Sequence, residues 1–265
     1  MKFHFYKYQG TGNDFVILDN RKSEFDGLTK EQVAFLCDRR FGVGADGLML
    51  LNPHHDYDFE MKYYNADGRE STMCGNGGRC LVQFANDRGI VRTTYKFKAI
   101  DGEHEAELNT DGTVALKMQD VHDVKYDDGH FILNTGSPHF IEFCDDVMDV
   151  DVYKKGRERR NSPAFKEDGI NVNFVQHTDE PDEIIVRTYE RGVENETFSC
   201  GTGVTAAAIV SAHNENGYNN VVVKTKGGIL NVEFDKIEDS YQNIWLNGPA
   251  VKVFEGDIEL PDMQL

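Results

Sequence analysis

Two cysteines stand at the start of similar glycine-rich stretches, and each has surroundings typical of a reactive thiol. One stretch runs from Cys74 to Gly77 and leads into a predicted helix at Cys80–Asp87; the other runs from Cys200 to Gly203 and leads into Ala206–His213. The amides and the dipole at a helix N-terminus stabilise anions. They therefore lower a thiol's pKa from its usual value of about 8.5 and also form a seat for a carboxylate or phosphate.

A matched pair of such thiols suits the inversion of a carbon stereocentre. That reaction needs a base on one face of the carbon and an acid on the other, and the two exchange roles in the reverse direction. Cys74 and Cys200 are groups of the same type in related settings. We interpret them as the acid and base of a cofactor-independent racemase or epimerase.

The remaining cysteines are interpreted as packing residues. Cys37 lies on the apolar face of a predicted helix, Cys80 lies just inside the helix after Cys74, and Cys144 ends a predicted strand. An odd number of five cysteines in a chain of 265 residues is not typical of a disulfide framework. We expect all of them to be reduced thiols.

An internal repeat relates the two cysteine loops. Five short matches recur in the same order at shifts of 124 to 126 residues: Thr11-Gly12 with Thr135-Gly136, Gly44–Leu50 with Gly169–Val175, Tyr64–Gly68 with Tyr189–Gly192, Met73–Gly77 with Ser199–Gly203, and Gly102 with Gly228. A coincidence of common glycine turns is the alternative, and the shared order argues against it. The shift is close to half the chain, so the repeat predicts a duplicated unit that forms two similar domains.

The local patterns predict a mixed architecture of strands and a few helices. Short β-branched and aromatic runs indicate strands at Phe3–Tyr8, Phe15–Leu18, Phe59–Tyr64, Ile184–Tyr189 and Val221–Thr225. Turn pairs at Asp101-Gly102, Asp111-Gly112 and Gly227-Gly228 predict hairpins, so much of the sheet should be antiparallel. Thr29 is the predicted N-cap of a helix over Lys30–Arg39. The alternating rhythm of a doubly wound fold is not evident.

Composition excludes several classes of partner. The chain has 28 Lys and Arg against 46 Asp and Glu, a formal charge of −18. Nucleic-acid binding and a polybasic membrane surface both need clustered positive charge, so neither is expected. Met1–Gly10 lacks the apolar core of a signal peptide, and the longest weakly polar run, Val204–Ala212, is too short for a membrane span. We expect a cytoplasmic protein.

Taken together, the motifs resemble those of the diaminopimelate epimerases from end to end. The resemblance rests on Gly12–Phe15, Gly42–Gly47, Asn65–Gly68, Cys74–Gly77, Pro138-His139, Tyr189–Gly192, Cys200–Gly203 and Asn247–Ala250. It implies an enzyme without pyridoxal phosphate or other cofactor and without a metal, which interconverts LL- and meso-diaminopimelate in lysine and peptidoglycan-precursor synthesis.

The resemblance also implies a fold. It is an α+β fold with two pseudo-symmetric domains from an internal duplication, each a largely antiparallel β-sheet or barrel around a central helix. Residues 1–118 with 251–265 would form the domain that carries Cys74, and residues 119–250 the domain that carries Cys200. The active site would lie in the cleft between them.

Roles for individual residues follow from the same resemblance. Cys74 and Cys200 would work on opposite faces of the reacting carbon, whose carboxylate the amides of Gly75-Asn76 and Gly201-Thr202 would hold. The groups that would bind the distal amino-acid end are Asn13, Asn65, Asn171 and Arg191. His139 and Glu190 would accept hydrogen bonds from the substrate ammonium and tune the cysteines.

The chain departs from the family pattern at three positions. Ser137 stands where many members have Asn, so its substrate contact would be shorter or through water. Gly47 replaces a Gln found in some members, which moves recognition of the distal end to other groups. Phe254 stands where some members have a Tyr associated with the dimer interface, and a homodimer is expected.

Other functions fit the residues less well. Gly42, Gly44 and Gly47 match a dinucleotide fingerprint, but they follow a predicted helix rather than a strand. Cys74 and Cys80 are wrongly spaced for zinc, and His54-His55 lacks evident partners. A related proline or hydroxyproline racemase remains an alternative, although those enzymes typically carry His where Asn76 stands. A binding module or inactive paralogue with a zwitterion cleft is the other, and the presence of both cysteines argues against it.

Overall fold

The contacts in the computed structural model, which describes residues 2–213 and 215–260, divide the chain into two compact units. Unit 1 comprises Met1–Leu116 with Pro249–Leu265, and unit 2 comprises Lys117–Gly248. Both divisions fall two residues before the boundaries that the family resemblance implies. Among the described helices, none is long and apolar enough to span a membrane.

In its described residues, unit 1 is a mixed sheet with two helices. Its elements are β1 (Lys2–Gly10), β2 (Asn13–Asp19), α1 (Lys30–Cys37), β3 (Gly47–Asn52), β4 (Phe59–Asn65), β5 (Glu70–Ser71), α2 (Gly75–Asp87), β6 (Thr94–Ala99), β7 (Gly102–Leu108), β8 (Val114–Lys117) and the last strand of the chain, Val251–Glu259. That last strand pairs with β1, β1 with β2, β3 with β4, β4 with β5, β6 with β7 and β7 with β8, all antiparallel. The β2–β3 and β4–β6 pairs are parallel.

Unit 2 repeats this plan. Its elements are β9 (Lys125–Asp127), β10 (His130–Asn134), β11 (Pro138–Phe143), a 3-10 helix (Val147–Asp149), α3 (Val152–Arg160), β12 (Asn171–His177), β13 (Glu183–Glu190), β14 (Asn195–Thr197), α4 (Gly201–Ser211), β15 (Gly217–Thr225), β16 (Gly228–Ile237) and β17 (Ser240–Gly248), so the last strand of the chain is β18. The parallel pairs are β11–β12 and β13–β15, and the other pairs within the unit are antiparallel.

Strand registers confirm the duplication. Phe15 pairs with Gly47 across β2 and β3, and Phe140 pairs with Val172 across β11 and β12, a shift of 125 at both positions. In each unit one helix is almost fully buried: α2 packs against β1, β2, β3, β7 and β18, and α4 packs against strands from β10 to β17. The fold class is therefore the α+β duplication around central helices, with mostly antiparallel sheets.

Most predicted elements are confirmed, but the two helices after the cysteine loops were predicted to start too late. They begin at Gly75 and Gly201, five residues before the predicted starts at Cys80 and Ala206, and the second ends at Ser211 rather than His213. All five predicted strands and the three hairpins are present. The predicted helix after Thr29 has a complete capping box with Gln32, but it ends at Cys37 rather than Arg39. Asp38 is extended, and its side chain accepts hydrogen bonds from the amides of Arg40 and Phe41, each at 2.7 Å. This local turn competes with further helix.

Helix α3 was not predicted from the sequence. Only Val152 and Gly156 of its residues are buried, so it has no apolar stripe. Its one sequence signal is the N-cap Asp151, whose carboxylate accepts a hydrogen bond from the amide of Lys154 at 3.0 Å.

Candidate functional site

Cys74 is the N-cap residue of α2. Its backbone is extended, with φ −93° and ψ 129°, and its carbonyl accepts the first helical hydrogen bond from the amide of Gly78 at 2.7 Å. The side chain makes no capping hydrogen bond. The helix begins at Gly75, so the amides that follow the thiol belong to its first turn and create the positive end of the helix dipole there.

The thiol of Cys74 contacts the amide side chain of Asn13, which is hydrogen-bonded to the amide side chain of Asn76. Its Sγ is 3.4 Å from Oδ1 of Asn13, which also accepts a hydrogen bond from Nδ2 of Asn76 at 3.3 Å. Oδ1 of Asn76 accepts from Arg79 at 2.8 Å and from the Thr11 hydroxyl at 3.4 Å. Both amides therefore have a fixed orientation, and the Asn13 oxygen faces the thiol.

A charged network holds the other end of Asn13. Its Nδ2 donates to the carboxylate of Asp46 at 2.6 Å, and Arg39 bridges Asp46 and Asp14 at 2.8 and 2.7 Å. Lys7, which is almost fully buried, pairs with Asp14 at 2.6 Å. Although burial alone would raise the pKa of Asp14, hydrogen bonds from Arg39 and Lys7 lower it to about 2. Asp14 thus remains ionised at neutral pH.

The two other predicted positions in unit 1, Asn65 and Gly47, differ in their exposure to solvent. Asn65 is exposed at the end of β4. Gly47 is buried at the start of β3, and a Cβ there would lie 2.5 Å from Cε2 of Tyr63. The Tyr63 ring therefore fills the space that a side chain at position 47 would need, which explains on steric grounds why this chain has glycine.

Cys200 has the same backbone role in unit 2. It is the N-cap of α4 with φ −118° and ψ 109°, and its carbonyl accepts from the amide of Val204 at 2.8 Å. Sγ of Cys200 lies 3.5 Å from the hydroxyl of Thr202 in the first turn. The thiol is more buried than that of Cys74, with 8 % of the residue exposed.

The Cys200 thiol is connected to a buried, uncharged network. Asn173 donates through Nδ2 to Nδ1 of His139 at 3.1 Å, so Nε2 carries the ring hydrogen and donates to the hydroxyl of Thr202 at 2.9 Å. Thr202 then has its own hydroxyl hydrogen to donate to Sγ of Cys200. The orientation of Asn173 is fixed by the hydroxyl of Thr188, which donates to its Oδ1 at 2.8 Å.

His139 is fully buried and uncharged. Burial, together with the positive charge of Arg191, lowers the pKa of His139 to about 3. Both ring nitrogens are hydrogen-bonded within unit 2, which differs from the expectation that this ring contacts the substrate ammonium directly. The geometry instead places His139 one hydroxyl away from Cys200.

The other predicted residues of unit 2 surround the end of β13. Asn171 is buried, donates to the carbonyl of Pro138 at 3.2 Å and accepts from the backbone amide of Arg191 at 2.8 Å. The half-buried guanidinium of Arg191 donates to the carbonyl of Asp168 at 2.8 Å. Glu190 and Ser137 are half-buried at the end of β13 and before β11.

Several polar residues near the thiols were missed by sequence reasoning. They are Arg79, Asp46, Asp14, Arg39 and Lys7 in unit 1, and Asn173 and Thr188 in unit 2. A usable signal was present for Asn173, a polar residue inside the apolar run of β12. The others become recognisable only when strands distant in sequence are paired.

The remaining cysteines and histidines stand apart from these networks. Burial raises the pKa of Cys37 and of Cys80 to about 12 each, and it also raises the pKa of Cys144. Within the described ranges no disulfide is present. At the surface, His54 and His55 do have a carboxylate beside them, Asp56, which corrects the expectation that they lack partners; all three are at least partly exposed.

Comparison with known proteins identifies the family. The sequence profile of diaminopimelate epimerase matches residues 5–124 and 131–253. The diaminopimelate epimerase of Flavobacterium psychrophilum is 48 % identical over 96 % of this chain and 99 % of its own length. That of Chlorobaculum tepidum is 44 % identical over 95 % of this chain and 99 % of its own length.

Solved structures agree at the level of the fold. A phenazine biosynthesis protein of the PhzF family from Bacillus anthracis has a TM-score of 0.75 at 15 % identity, and covers 98 % of this chain and 100 % of its own. At that identity the likeness concerns the fold alone. The profile match and the high identity to full-length relatives are decisive, and the chain belongs to the diaminopimelate epimerase family.

Proposed function

We propose that this isomerase interconverts LL- and meso-diaminopimelate by a two-thiol mechanism, in lysine and peptidoglycan-precursor synthesis. The observation that carries the proposal is that Cys74 and Cys200 each cap the central helix of one repeat, in a chain of this family. The two thiols supply both base and acid, so the chemistry needs no pyridoxal phosphate.

The reaction divides into two proton transfers. One cysteine, as thiolate, takes the α-hydrogen as a proton, and the electron pair moves from the C–H bond into the carboxylate to form an enediolate-like anion. The other cysteine, as thiol, returns a proton to the opposite face and becomes a thiolate. The mechanism therefore requires both thiols to reach opposite faces of one carbon.

The helix N-termini stabilise the charge that develops. Amides of Gly75-Asn76 and of Gly201-Thr202 hold the carboxylate of the reacting centre, where preorganised donors act most strongly on the enediolate. These amides lie in the first turns of α2 and α4. His139 acts through Thr202, which donates its hydroxyl hydrogen to the Cys200 sulfur and stabilises it as a thiolate.

The distal amino-acid end is bound by neutral amides and one cation. Arg191 forms the ion pair with the distal carboxylate, and Asn13, Asn65 and Asn171 supply hydrogen bonds that fit a zwitterion. Glu190 accepts from an ammonium group, and Ser137 adds a contact near His139. This local arrangement explains how a chain of net charge −18 binds a ligand with two carboxylates.

The proposed assembly is a homodimer that uses β18. The described pairings join β18 to β1 on one side only, and Val253 and Phe254 are 54 % and 46 % exposed. An edge strand with exposed apolar side chains favours pairing with a second copy. We place the enzyme in the cytoplasm, where reducing conditions keep the cysteines as thiols.

The test uses LL-diaminopimelate in D2O. Purified protein should introduce solvent deuterium at the α-carbon and produce the meso isomer, and Cys74→Ala or Cys200→Ala should each reduce epimerisation by about 10³-fold or more. Cys144→Ala removes a half-buried thiol outside both loops and should retain turnover. Epimerisation retained in either of the first two variants would overturn the two-thiol mechanism.

A further inference from the structure

Asn173 is a buried amide at a strand position that is apolar in the other repeat. It lies inside β12 between the buried Val172 and Phe174, and none of its surface is exposed. The strand registers place Leu48 of β3 at the equivalent position in unit 1, where it too is fully buried. Burying an amide is unfavourable unless its hydrogen bonds are made. Since unit 1 forms the same strand with leucine, the fold itself does not require an amide here.

Each polar atom of the Asn173 side chain has a hydrogen-bond partner. Nδ2 donates to the carbonyl of Phe140 at 3.2 Å and to Nδ1 of His139 at 3.1 Å, and Oδ1 accepts from the Thr188 hydroxyl at 2.8 Å. A carbonyl can only accept, so the contact with Phe140 fixes which end of the amide is the nitrogen. Nδ1 of His139 therefore accepts from Asn173 and does not carry the ring hydrogen.

The direction of this hydrogen bond determines the direction of the next two. A neutral imidazole carries one hydrogen, which is then on Nε2 of His139 and is donated to the Thr202 hydroxyl at 2.9 Å. The Thr202 oxygen accepts it, so its own hydrogen can point at Sγ of Cys200, 3.5 Å away. A hydrogen bond donated to the sulfur favours the thiolate. In the opposite tautomer Nε2 would take the Thr202 hydrogen, and the sulfur would lose it.

Unit 1 differs at each position of this relay. The residues 125 positions before His139, Asn173 and Thr188 are Asp14, Leu48 and Tyr63. At the thiol itself the hydrogen bond has the opposite direction, because Sγ of Cys74 donates to Oδ1 of Asn13 at 3.4 Å. That contact favours the protonated sulfur. The relay that ends on a sulfur acceptor is therefore specific to unit 2.

We propose that Asn173 is a positioning residue for Cys200: its fixed amide holds His139 as the Nε2-H tautomer, so that Thr202 directs a hydrogen onto the Cys200 sulfur. Asn173 acts through His139 and Thr202 and does not touch the substrate. The inference rests on the proposed function and deepens it, because the thiolate that the relay stabilises is one of the two bases of the two-thiol mechanism.

The test replaces Asn173 by the residue that the other repeat has. Asn173→Leu removes the donor to His139 and leaves a side chain that the equivalent strand already accommodates at Leu48. Nitrogen-15 NMR of histidine-labelled, substrate-free protein at about pH 8, where the ring is neutral, distinguishes the two tautomers. His139→Gln identifies the His139 signals. The unmodified protein should show the Nε2-H tautomer, and Asn173→Leu should show a mixture of the two.

A second measurement follows the ionisation of the sulfur. Iodoacetamide alkylation of the full-length protein is followed from about pH 5 to 10, which brackets a cysteine pKa, and peptide mass spectrometry reads Cys200 and Cys74 separately. In Asn173→Leu the Cys200 profile should move up by about one pH unit, while the Cys74 profile stays in place. With diaminopimelate, kcat should fall about tenfold and KM should stay within about twofold, because Asn173 does not contact the substrate.

Two variants separate positioning from packing. Val175→Ala removes buried apolar atoms from the same strand, and should lower stability without changing the His139 tautomer or the Cys200 profile. Thr188→Ser keeps the hydroxyl that donates to Asn173 and should also leave both unchanged. The inference is overturned if His139 of the unmodified protein is the Nδ1-H tautomer, a result that needs no variant to fold. It is also overturned if Asn173→Leu leaves the Cys200 profile unchanged, or if Val175→Ala shifts it equally.

These readouts are independent of catalysis. A His139 tautomer and a Cys200 profile that depend on Asn173, in a protein that fails to epimerise diaminopimelate, would reject the proposed function and retain the role of Asn173. Normal epimerisation by a protein whose His139 is the Nδ1-H tautomer would retain the proposed function and reject that role.

Discussion

The two cysteine loops have the same backbone conformation at the thiol and different electrostatic surroundings. Cys74 and Cys200 both cap a buried helix, and strand registers agree at shifts of 125 and 126. Around Cys74 the side chains are charged, with Arg79 on the helix and Asp46 behind Asn13. Around Cys200 they are neutral, with His139 bonded to Thr202. The two repeats retain the backbone position of the thiol, and the surrounding side chains differ.

The neutral network should make unit 2 sensitive to mild acid. The pKa of His139 is about 3 in the folded protein and about 6.5 when unfolded. Since the unfolded chain binds the proton more readily, the contribution of His139 to stability is complete above pH ~6.5 and falls as the pH drops toward 3. Between pH 6.5 and 4.5 the loss should be about 2–3 kcal/mol.

Urea unfolding at pH 7 and at pH 4.5 measures this loss. His139→Gln keeps a donor for Thr202 and does not titrate, so its free energy of unfolding should depend on pH less than that of the unmodified protein by the same amount. Asp14 contributes little to this difference, because both its lowered pKa in the folded protein and its ordinary pKa of about 3.8 lie below pH 4.5. Equal pH dependence in the two proteins would contradict a buried neutral His139.

A matched pair of glycines tests the packing difference between the two helices. Gly77 and Gly203 occupy equivalent positions at a shift of 126. A Cβ at Gly203 would lie 2.4 Å from Oδ1 of Asn173, which is fully buried, whereas a Cβ at Gly77 would meet the flexible Met49 sulfur at 3.2 Å.

Alanine at the two positions should therefore have unequal effects. Gly203→Ala should cost about 1–3 kcal/mol of unfolding free energy by overpacking, and should lower kcat because Asn173 moves away from His139. Gly77→Ala should change stability by less than about 1 kcal/mol, since Ala favours the helix and the Met49 side chain can move. Thermal unfolding of both variants tests this difference. Equal losses of stability would show that the surroundings of Asn173 accommodate a Cβ as easily as those of Met49.

The features that could be predicted from the sequence are those that depend on residue spacing over short ranges. The location of Cys74 and Cys200 near helix N-termini, the hairpins and the duplicated plan follow from glycine placement and from motifs that recur at a nearly constant shift. The helix starts themselves, Gly75 and Gly201, were predicted five residues too late. Helix α3 was missed because its sequence is polar and only two of its residues are buried.

The networks that distinguish the thiols could not be predicted, for a physical reason. Asn13 and Asp46 are hydrogen-bonded although 33 positions apart, and His139 and Asn173 although 34 apart. Such contacts depend on the parallel registers of β2–β3 and β11–β12, which no local pattern specifies. Arg79 lay in the stretch before the predicted helix and was not singled out, because the burial of its guanidinium becomes evident only once α2 packs against five strands.

The smallest effect on activity is expected from a change at Asp46, the carboxylate that is hydrogen-bonded to the Asn13 amide. Asp46 accepts from Nδ2 of Asn13 at 2.6 Å and so fixes the amide with its oxygen toward Cys74. Asp46→Asn replaces an obligatory acceptor by a side chain that can also donate, so Asn13 gains a second orientation. Because Asn13 is proposed to bind the distal end of the substrate, KM should rise by about tenfold, about 1.4 kcal/mol, with a smaller change in kcat.

The control for Asp46→Asn is Asp111→Asn, which makes the same charge change in the turn between β7 and β8, where Asp111 accepts from Thr113. It should leave KM unchanged, because a surface charge far along the chain from Asn13 has no part in orienting that amide. A fall in kcat with constant KM in Asp46→Asn would place Asn13 at the thiol rather than at the distal end. In that case the charged network of unit 1, like the neutral network of unit 2, would serve the sulfur alone.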